Sequence, residues 1–260
     1  MFHATLDSTK TWKQIVDAMA TLLTEAQFRV APDSEPTGMT LRQTDIAKAA
    51  MIDLELPKSV FQDYHCDKEH ELTLGIDDLA KVSKRMSGDE VLEFNLDTDA
   101  NRLELRLVGR AEREFKISLL ESPESGPRGF PSQFQVDSEI DTDAFKQAIK
   151  DIATVANHVR IEADASRISL SGEGDTSEAR VHLSREGDPP VVLDLQISGD
   201  EGSASAMYAL SYLTEMTKAM SSDTIELHFT GDNPLMIEFP IAVTGKIRFV
   251  LAPRKERRSR

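Results

Sequence analysis

Two stretches of this chain are each written twice. TWKQIVDAMAT, from Thr11, returns as AFKQAIKDIAT, from Ala144, at an offset of 133 residues. LAKVSKRMSGD, from Leu79, returns as LTEMTKAMSSD, from Leu213, at an offset of 134. The two echoes keep their order and their spacing, so they are read together as an internal duplication. A duplicated chain of 260 residues folds as two similar domains of ordinary size. We place them at 1–120 and 134–260, joined by a connector at 121–133.

The repeated stretches have helical periodicity. Asp7, Ser8 and Thr9 supply N-cap chemistry, and Trp12, Ile15, Val16, Met19, Leu22 and Leu23 follow at helical spacing. Ile76, Leu79, Val82 and Met86 form the stripe of a second helix. A third follows Asp141, Thr142 and Asp143 and buries Phe145, Ala148, Ile149 and Ile152. Leu210, Leu213, Met216 and Met220 form the stripe of a fourth.

Most of the remainder alternates apolar with polar residues, as in AAMIDLEL, VLEFNL, NRLELRLVG, EFKISLL, RISLSG, ARVHLS, VVLDLQIS, TIELHFT, PLMIEFP and KIRFVLA. Such strands build antiparallel sheets with one face buried. The fold class is therefore α+β: two similar domains, each with antiparallel sheets packed on two short helices. The connector ESPESGPRGFPSQF holds three Pro and two Gly and reads as an extended segment. Its Phe130 and Phe134 are apolar for a solvated linker.

Composition excludes several classes. At 40% hydrophobic and 29% charged residues the chain buries a core. No apolar run is long enough for a membrane helix, and the amino terminus lacks the pattern of a secretion signal. The single cysteine, Cys66, excludes an internal disulfide framework. His65, Cys66, Asp67 and His70 cluster in YHCDKEHE, but their spacing matches no zinc pattern. The expectation there is a surface turn, with a metal-dependent hydrolase as a remote alternative. SGEGDTSEA lacks the Lys-Ser/Thr end of a phosphate loop and reads as a hairpin turn. No catalytic site, cofactor or metal is expected.

The formal net charge is −15, which opposes nucleic-acid binding if spread evenly. It is not evenly placed. Lys13, Lys81, Lys84, Arg85, Lys146, Lys150 and Lys218 lie opposite the apolar stripes of the four helices. Duplication makes those helices equivalent, so one basic surface can run across both halves and meet a phosphate backbone without reading its sequence. Asp17, Asp78, Asp151 and Glu215 dilute it.

Several segments then converge on a known family. MFHATL at the start, DYHCDKEHELTLGI before the second helix, MYALSYLTEMTKAM, DNPLMIEFPI and GKIRFVLAPR resemble the sliding clamps of the proliferating cell nuclear antigen type, archaeal and eukaryotic, over nearly the whole chain. The resemblance implies a homotrimeric ring of pseudo-sixfold symmetry, helices inside and strands outside, with duplex DNA passing through. It implies no catalysis. It implies a processivity factor and scaffold in DNA replication and repair for a replicative polymerase, a flap nuclease and a DNA ligase, opened by a clamp loader. It places the protein in the cytoplasm and nucleoid of an archaeon, or in a eukaryotic nucleus.

By position, the resemblance implies DNA contacts at Lys13, Lys81, Lys84, Lys146, Lys150 and Lys218, with Arg85 and Arg110 as additions. Gln14, Ala20 and Ser211 stand where relatives carry basic residues. It implies ring seams between the strand of Arg113, Phe115, Lys116 and Ile117 and the strand of Glu178, Arg180, Val181 and Leu183 of a neighbour, where the strand charges are opposite. It implies a partner pocket at Thr44, Lys48, Ala49, Met51, Gly129, Phe130, Pro131, Pro234, Val250, Leu251, Ala252 and Pro253, with Met51 and Leu251 as its floor. A subunit of a heterotrimeric replicative or checkpoint clamp is the alternative within the same family.

Overall fold

The computed structural model describes residues 1–32, 38–122, 129, 133–199 and 202–254. Its elements run β1 (Phe2–Leu6), α1 (Thr9–Ala20), β2 (Glu25–Ala31), β3 (Gly38–Thr44), β4 (Ala50–Leu56), β5 (Asp63–Cys66), β6 (His70–Gly75), α2 (Ile76–Ser83), β7 (Val91–Asp97), β8 (Arg102–Val108) and β9 (Glu112–Ser118). They continue β10 (Val136–Asp141), α3 (Thr142–Ala153), β11 (His158–Asp164), β12 (Arg167–Glu173), β13 (Glu178–Ser184), β14 (Val192–Ile197), β15 (Ala204–Ala209), α4 (Leu210–Ala219), β16 (Thr224–Phe229), β17 (Leu235–Ile241) and β18 (Gly245–Leu251). The second list repeats the first, strand for strand and helix for helix. The duplication read from two short echoes therefore extends to the whole element order.

The chain divides into two compact units, 1–128 with 240–247, and 129–239 with 248–260. In the first, strands neighbour one another in the order β5-β1-β7-β8-β9 and in the order β4-β3-β2-β6. In the second the orders are β14-β10-β16-β17 and β13-β12-β11-β15. All neighbours in these four orders pair antiparallel. Sheet alternation is clear in β8, where Leu103, Leu105 and Leu107 are buried and Arg102, Glu104, Arg106 and Val108 are partly exposed.

Each unit buries its helices by the stripes that periodicity marks. Trp12, Ile15, Val16 and Met19 are fully covered in α1, and Trp12 meets Phe28 and Phe94 at ring-centroid distances of 5.5 and 4.9 Å. Phe145, 133 residues on, takes the same place in α3 with Ala148, Ile149 and Ile152. Ser8 caps α1 by accepting the Lys10 N–H at 3.1 Å, and Asp141 caps α3 by accepting the Ala144 N–H at 2.7 Å. Gly172 in β12 permits a close approach of sheet to helix. A Cβ there would stand 2.4 Å from Ile152 Cγ2.

Two helix ends differ from expectation. α1 stops at Ala20, where the Thr21 hydroxyl bonds back to the Ala18 carbonyl at 2.7 Å. Leu23 is buried without belonging to the helix. α2 stops at Ser83, and Met86 reaches the core from the turn that follows. In β4 alternation fails: Asp53 is 2% exposed and receives the Arg42 Nε–H at 2.6 Å, so a buried charge is paired.

Trp12→Ala and Phe145→Ala should each lower unfolding stability by about 3–5 kcal/mol. Chemical denaturation of the two variants measures it, and near-equal losses are expected from equivalent sites.

Candidate nucleic-acid and partner interfaces

The basic residues of the helices divide by what they touch. Lys84, Arg85, Arg110 and Lys150 are exposed, and among the described residues none of their charged groups has an ion-pair partner. Lys81 pairs with Asp78 at 2.9 Å, which raises its pKa above the usual lysine value. Lys218 pairs with Glu215 at 2.6 Å. Both are exposed i,i+3 pairs, worth little in water and available for exchange with another anion. Lys13 donates to the Met86 carbonyl at 3.1 Å, and Lys146 to the Met220 carbonyl at 2.6 Å. These two were expected to face solvent and are instead engaged inside their units.

The strands expected at a ring seam are sheet edges. β9 ends the series β5-β1-β7-β8-β9, and β13 ends β13-β12-β11-β15. Such edges offer unpaired backbone groups to another chain. Their side chains are less available than the sequence suggests. Ile117 and Leu183 are buried in their own units, leaving Phe115 and Val181 half-buried. Arg113 pairs with Glu90 and donates to the Arg85 carbonyl at 2.9 Å. The Ser87 N–H and the Arg113 guanidinium hold the Glu90 carboxyl below its usual pKa. Lys116 pairs with Glu114 at 2.7 Å and Glu104 at 3.1 Å, and both raise its pKa. Pairing across a seam therefore competes with pairing within the strand's own unit. Glu178 and Arg180 line a polar groove of about 710 Å³ with His158, Arg160, Glu173 and Met207.

The residues expected to receive partners lie in both units. Thr44 closes β3 half-buried, Lys48 is exposed, Ala49 is half-buried and Met51 is 6% exposed. Asp45 organises this loop, a role that the sequence reading missed. Its Oδ1 accepts the N–H groups of Ala49 at 2.8 Å and Ala50 at 2.9 Å, and its Oδ2 accepts that of Ala47 at 3.2 Å. The bracing permits Lys48 a positive φ of 55° and leaves Ile46 87% exposed. The signal was present as an Asp between a strand and a short polar turn.

In the second unit Val250 and Leu251 are buried, Pro234 and Pro253 are half-buried and Ala252 is exposed. Gly129 is exposed, while Phe130 and Pro131 lie outside the described residues. So does the basic tail from Lys255. Arg254 before it is fastened, its N–H to the Met207 carbonyl and its Nε to His158 Nε2, both at 2.7 Å. Burial and then this guanidinium lower the His158 pKa.

The cluster in YHCDKEHE is committed elsewhere. Tyr64 is buried and donates toward the Ala31 and Gly38 carbonyls, each at 2.8 Å. Cys66 donates to the Lys68 carbonyl at 2.9 Å. Asp67 pairs with the α-amino group of Met1 and with His70 at 3.0 Å, which together hold its carboxyl well below the usual range. Among the described residues no group of three or more His, Cys, Asp or Glu is placed to hold a metal. SGEGDTSEA is the turn of the β12–β13 hairpin.

Comparison with known proteins agrees with this architecture. The model of the proliferating cell nuclear antigen N-terminal domain matches residues 1–121, and that of the C-terminal domain matches 131–254. A DNA polymerase sliding clamp of Thermococcus sibiricus is 31% identical, covering 98% of this chain and 99% of its own length. One of Thermofilum pendens is 32% identical over 94% and 96%. The crystal structure of PCNA from Thermococcus kodakaraensis, 25% identical, matches with a TM-score of 0.90 over 98% of this chain and all of that one. A. fulgidus PCNA, solved with the C-terminal region of FEN-1 bound, shares the fold at 21% identity and a TM-score of 0.84 over 98% and 99%.

Asp45→Ala should unpin the 45–50 loop, since three backbone donors lose one acceptor. Hydrogen exchange at Ala47, Ala49 and Ala50 should quicken, with the exchange of β8 unchanged.

Proposed function

The chain belongs to the proliferating cell nuclear antigen family, and from that premise we propose that it is a DNA polymerase sliding clamp. Three copies close head to tail, and duplex DNA passes through the ring. The observation that carries this reading is the repeated helix pair. Each unit buries one face of two short helices and sets lysines on the other, at Lys84 and Lys218 in equivalent places. Three copies of two such units supply six pairs, the arrangement a pseudo-sixfold lining requires.

The contacts are sequence-independent, because ammonium groups meet phosphates and not base edges. Carboxylates beside Lys81 and Lys218 keep them weak, which suits a ring that must move along DNA. The remaining acidic surface repels stray nucleic acid. The ring closes by strand addition of β9 on one copy to β13 on the next, with backbone hydrogen bonds supplying most of the contact. Polymerase, flap nuclease and ligase dock through a short peptide on the residues around Leu251 and Ala252 of the second unit. Tethering raises their effective concentration at the template. The protein carries no catalytic step in this reading, and a clamp loader must open it. It acts where the genome is replicated, in the nucleoid if its cell is archaeal like those of the relatives named above.

Native mass across a dilution series should equal three copies of the 28.9 kDa chain. Val181→Lys, which places a charge on the β13 edge, should shift the mass toward the monomer. A wild-type monomer at every concentration would instead point to a subunit awaiting different partners.

Leu251 is 2% exposed, so an acidic residue there would test folding as much as docking. Ala252→Glu, at an exposed position, should weaken binding of a glutamine-containing plug peptide by about tenfold or more. Calorimetric titration reads it, and unchanged affinity would move the docking site elsewhere.

A further inference from the structure

The lysines expected to meet DNA are not equivalent, and duplication shows which of them do something else. Lys13 in α1 donates to the Met86 carbonyl beyond the end of α2. Lys146, 133 residues later in α3, donates to the Met220 carbonyl at the end of α4. A second bond repeats beside the first. Thr9 N–H reaches the Glu90 carbonyl at 2.8 Å, and Thr142 N–H reaches the Asp223 carbonyl at 3.0 Å. In both units, the segment after the second helix is tied twice to the first turns of the first helix.

The Met220 carbonyl stands at the C-cap of α4, where carbonyls lack intrahelical N–H partners and carry partial negative charge, and the Met86 carbonyl lies in the turn three residues beyond α2. An ammonium group satisfies both, and the Lys146 side chain is only 25% exposed while doing so, against 74% for Lys81 and 62% for Lys218. The tied carbonyls lie two residues beyond Lys84 and two beyond Lys218. A phosphate drawing either tying lysine away would leave the Met86 or the Met220 carbonyl without this donor.

We propose, on the DNA-binding reading above, that Lys13 and Lys146 are positioning residues. Each anchors the end of the second helix of its pair and so fixes where Lys84 or Lys218 is presented to the phosphate backbone. The direct contacts fall to the exposed cations.

The test uses the full-length protein, a short DNA duplex, and fluorescence anisotropy over a salt series. Hydrogen exchange of residues 84–90 and 218–223 is followed in parallel. Lys13→Met and Lys146→Met should lower affinity several-fold at every salt concentration without changing the slope of log K against log[salt]. Exchange should quicken in 84–90 for the first variant and in 218–223 for the second. Lys13→Arg and Lys146→Arg should restore affinity and protection. Lys84→Met should reduce the slope by about one and leave exchange unchanged.

A slope reduced by about one in Lys13→Met, with exchange unchanged, would make Lys13 a direct phosphate contact and overturn the proposal. So would quickened exchange at wild-type affinity. If Lys84→Met has no effect on DNA at all, the lining reading itself fails, which is distinct from the unchanged exchange that would remove the tie. Should the methionine variants not fold, Lys13→Leu and Lys146→Leu, which likewise lack a donor, give the same two readouts.

Discussion

No α-helix among the described residues is long enough to stand alone. Among the described residues the four contain 12, 8, 12 and 10 residues, below the length at which an isolated helix is stable in water. They exist because an apolar stripe on each is pressed onto sheet. Trp12 among Phe28 and Phe94, and Phe145 in the equivalent place, show the burial involved. With stability supplied from one face, the other is released from packing. That division lets a strongly acidic protein carry lysines on short helices without weakening its core.

Charge is managed locally. Lys81 and Lys218 are answered by carboxylates one turn away, Lys13 by the Met86 carbonyl beyond α2, Lys146 by the Met220 carbonyl at the end of α4 with the Asp143 carboxylate at 4.0 Å, and Lys84 and Lys150 stand exposed. Each arrangement has a different response to an arriving phosphate. An exposed pair exchanges one anion for another at small cost. A tied lysine must leave a carbonyl behind. The net charge of −15 therefore says little about how any one surface meets DNA. The edge strands obey the same rule: Arg113 and Lys116 are already answered within their own unit, so the backbone of β9 is more open to a neighbour than its charges are.

Much of the fold was legible because helical and strand periodicity are local. The stripes of α1 to α4 and the alternation of β7, β8, β12 and β17 lie within a few residues of sequence. β15, written ASAMYA, was harder, because small residues carry weak strand propensity. The stop of α1 at Ala20 was missed because Leu22 and Leu23 carry the apolar spacing past the end of the helix. Asp45 was missed because bracing a loop through three N–H groups leaves no periodic trace. The likeness of whole segments to a family, and not any short motif, carried the partner and seam residues.

The sequence by itself determined the duplication, the element types and the apolar faces, since each is a pattern repeated at fixed spacing along the chain. Only the tertiary structure decided which strands are edges and which lysines are already engaged. Those depend on residues 20 to 90 positions apart meeting at hydrogen-bond distance, as Arg113 meets Glu90, Lys13 meets Met86 and Lys146 meets Met220. A donor's partner is chosen by proximity in space, and proximity of that kind is created by the packing of sheets and helices.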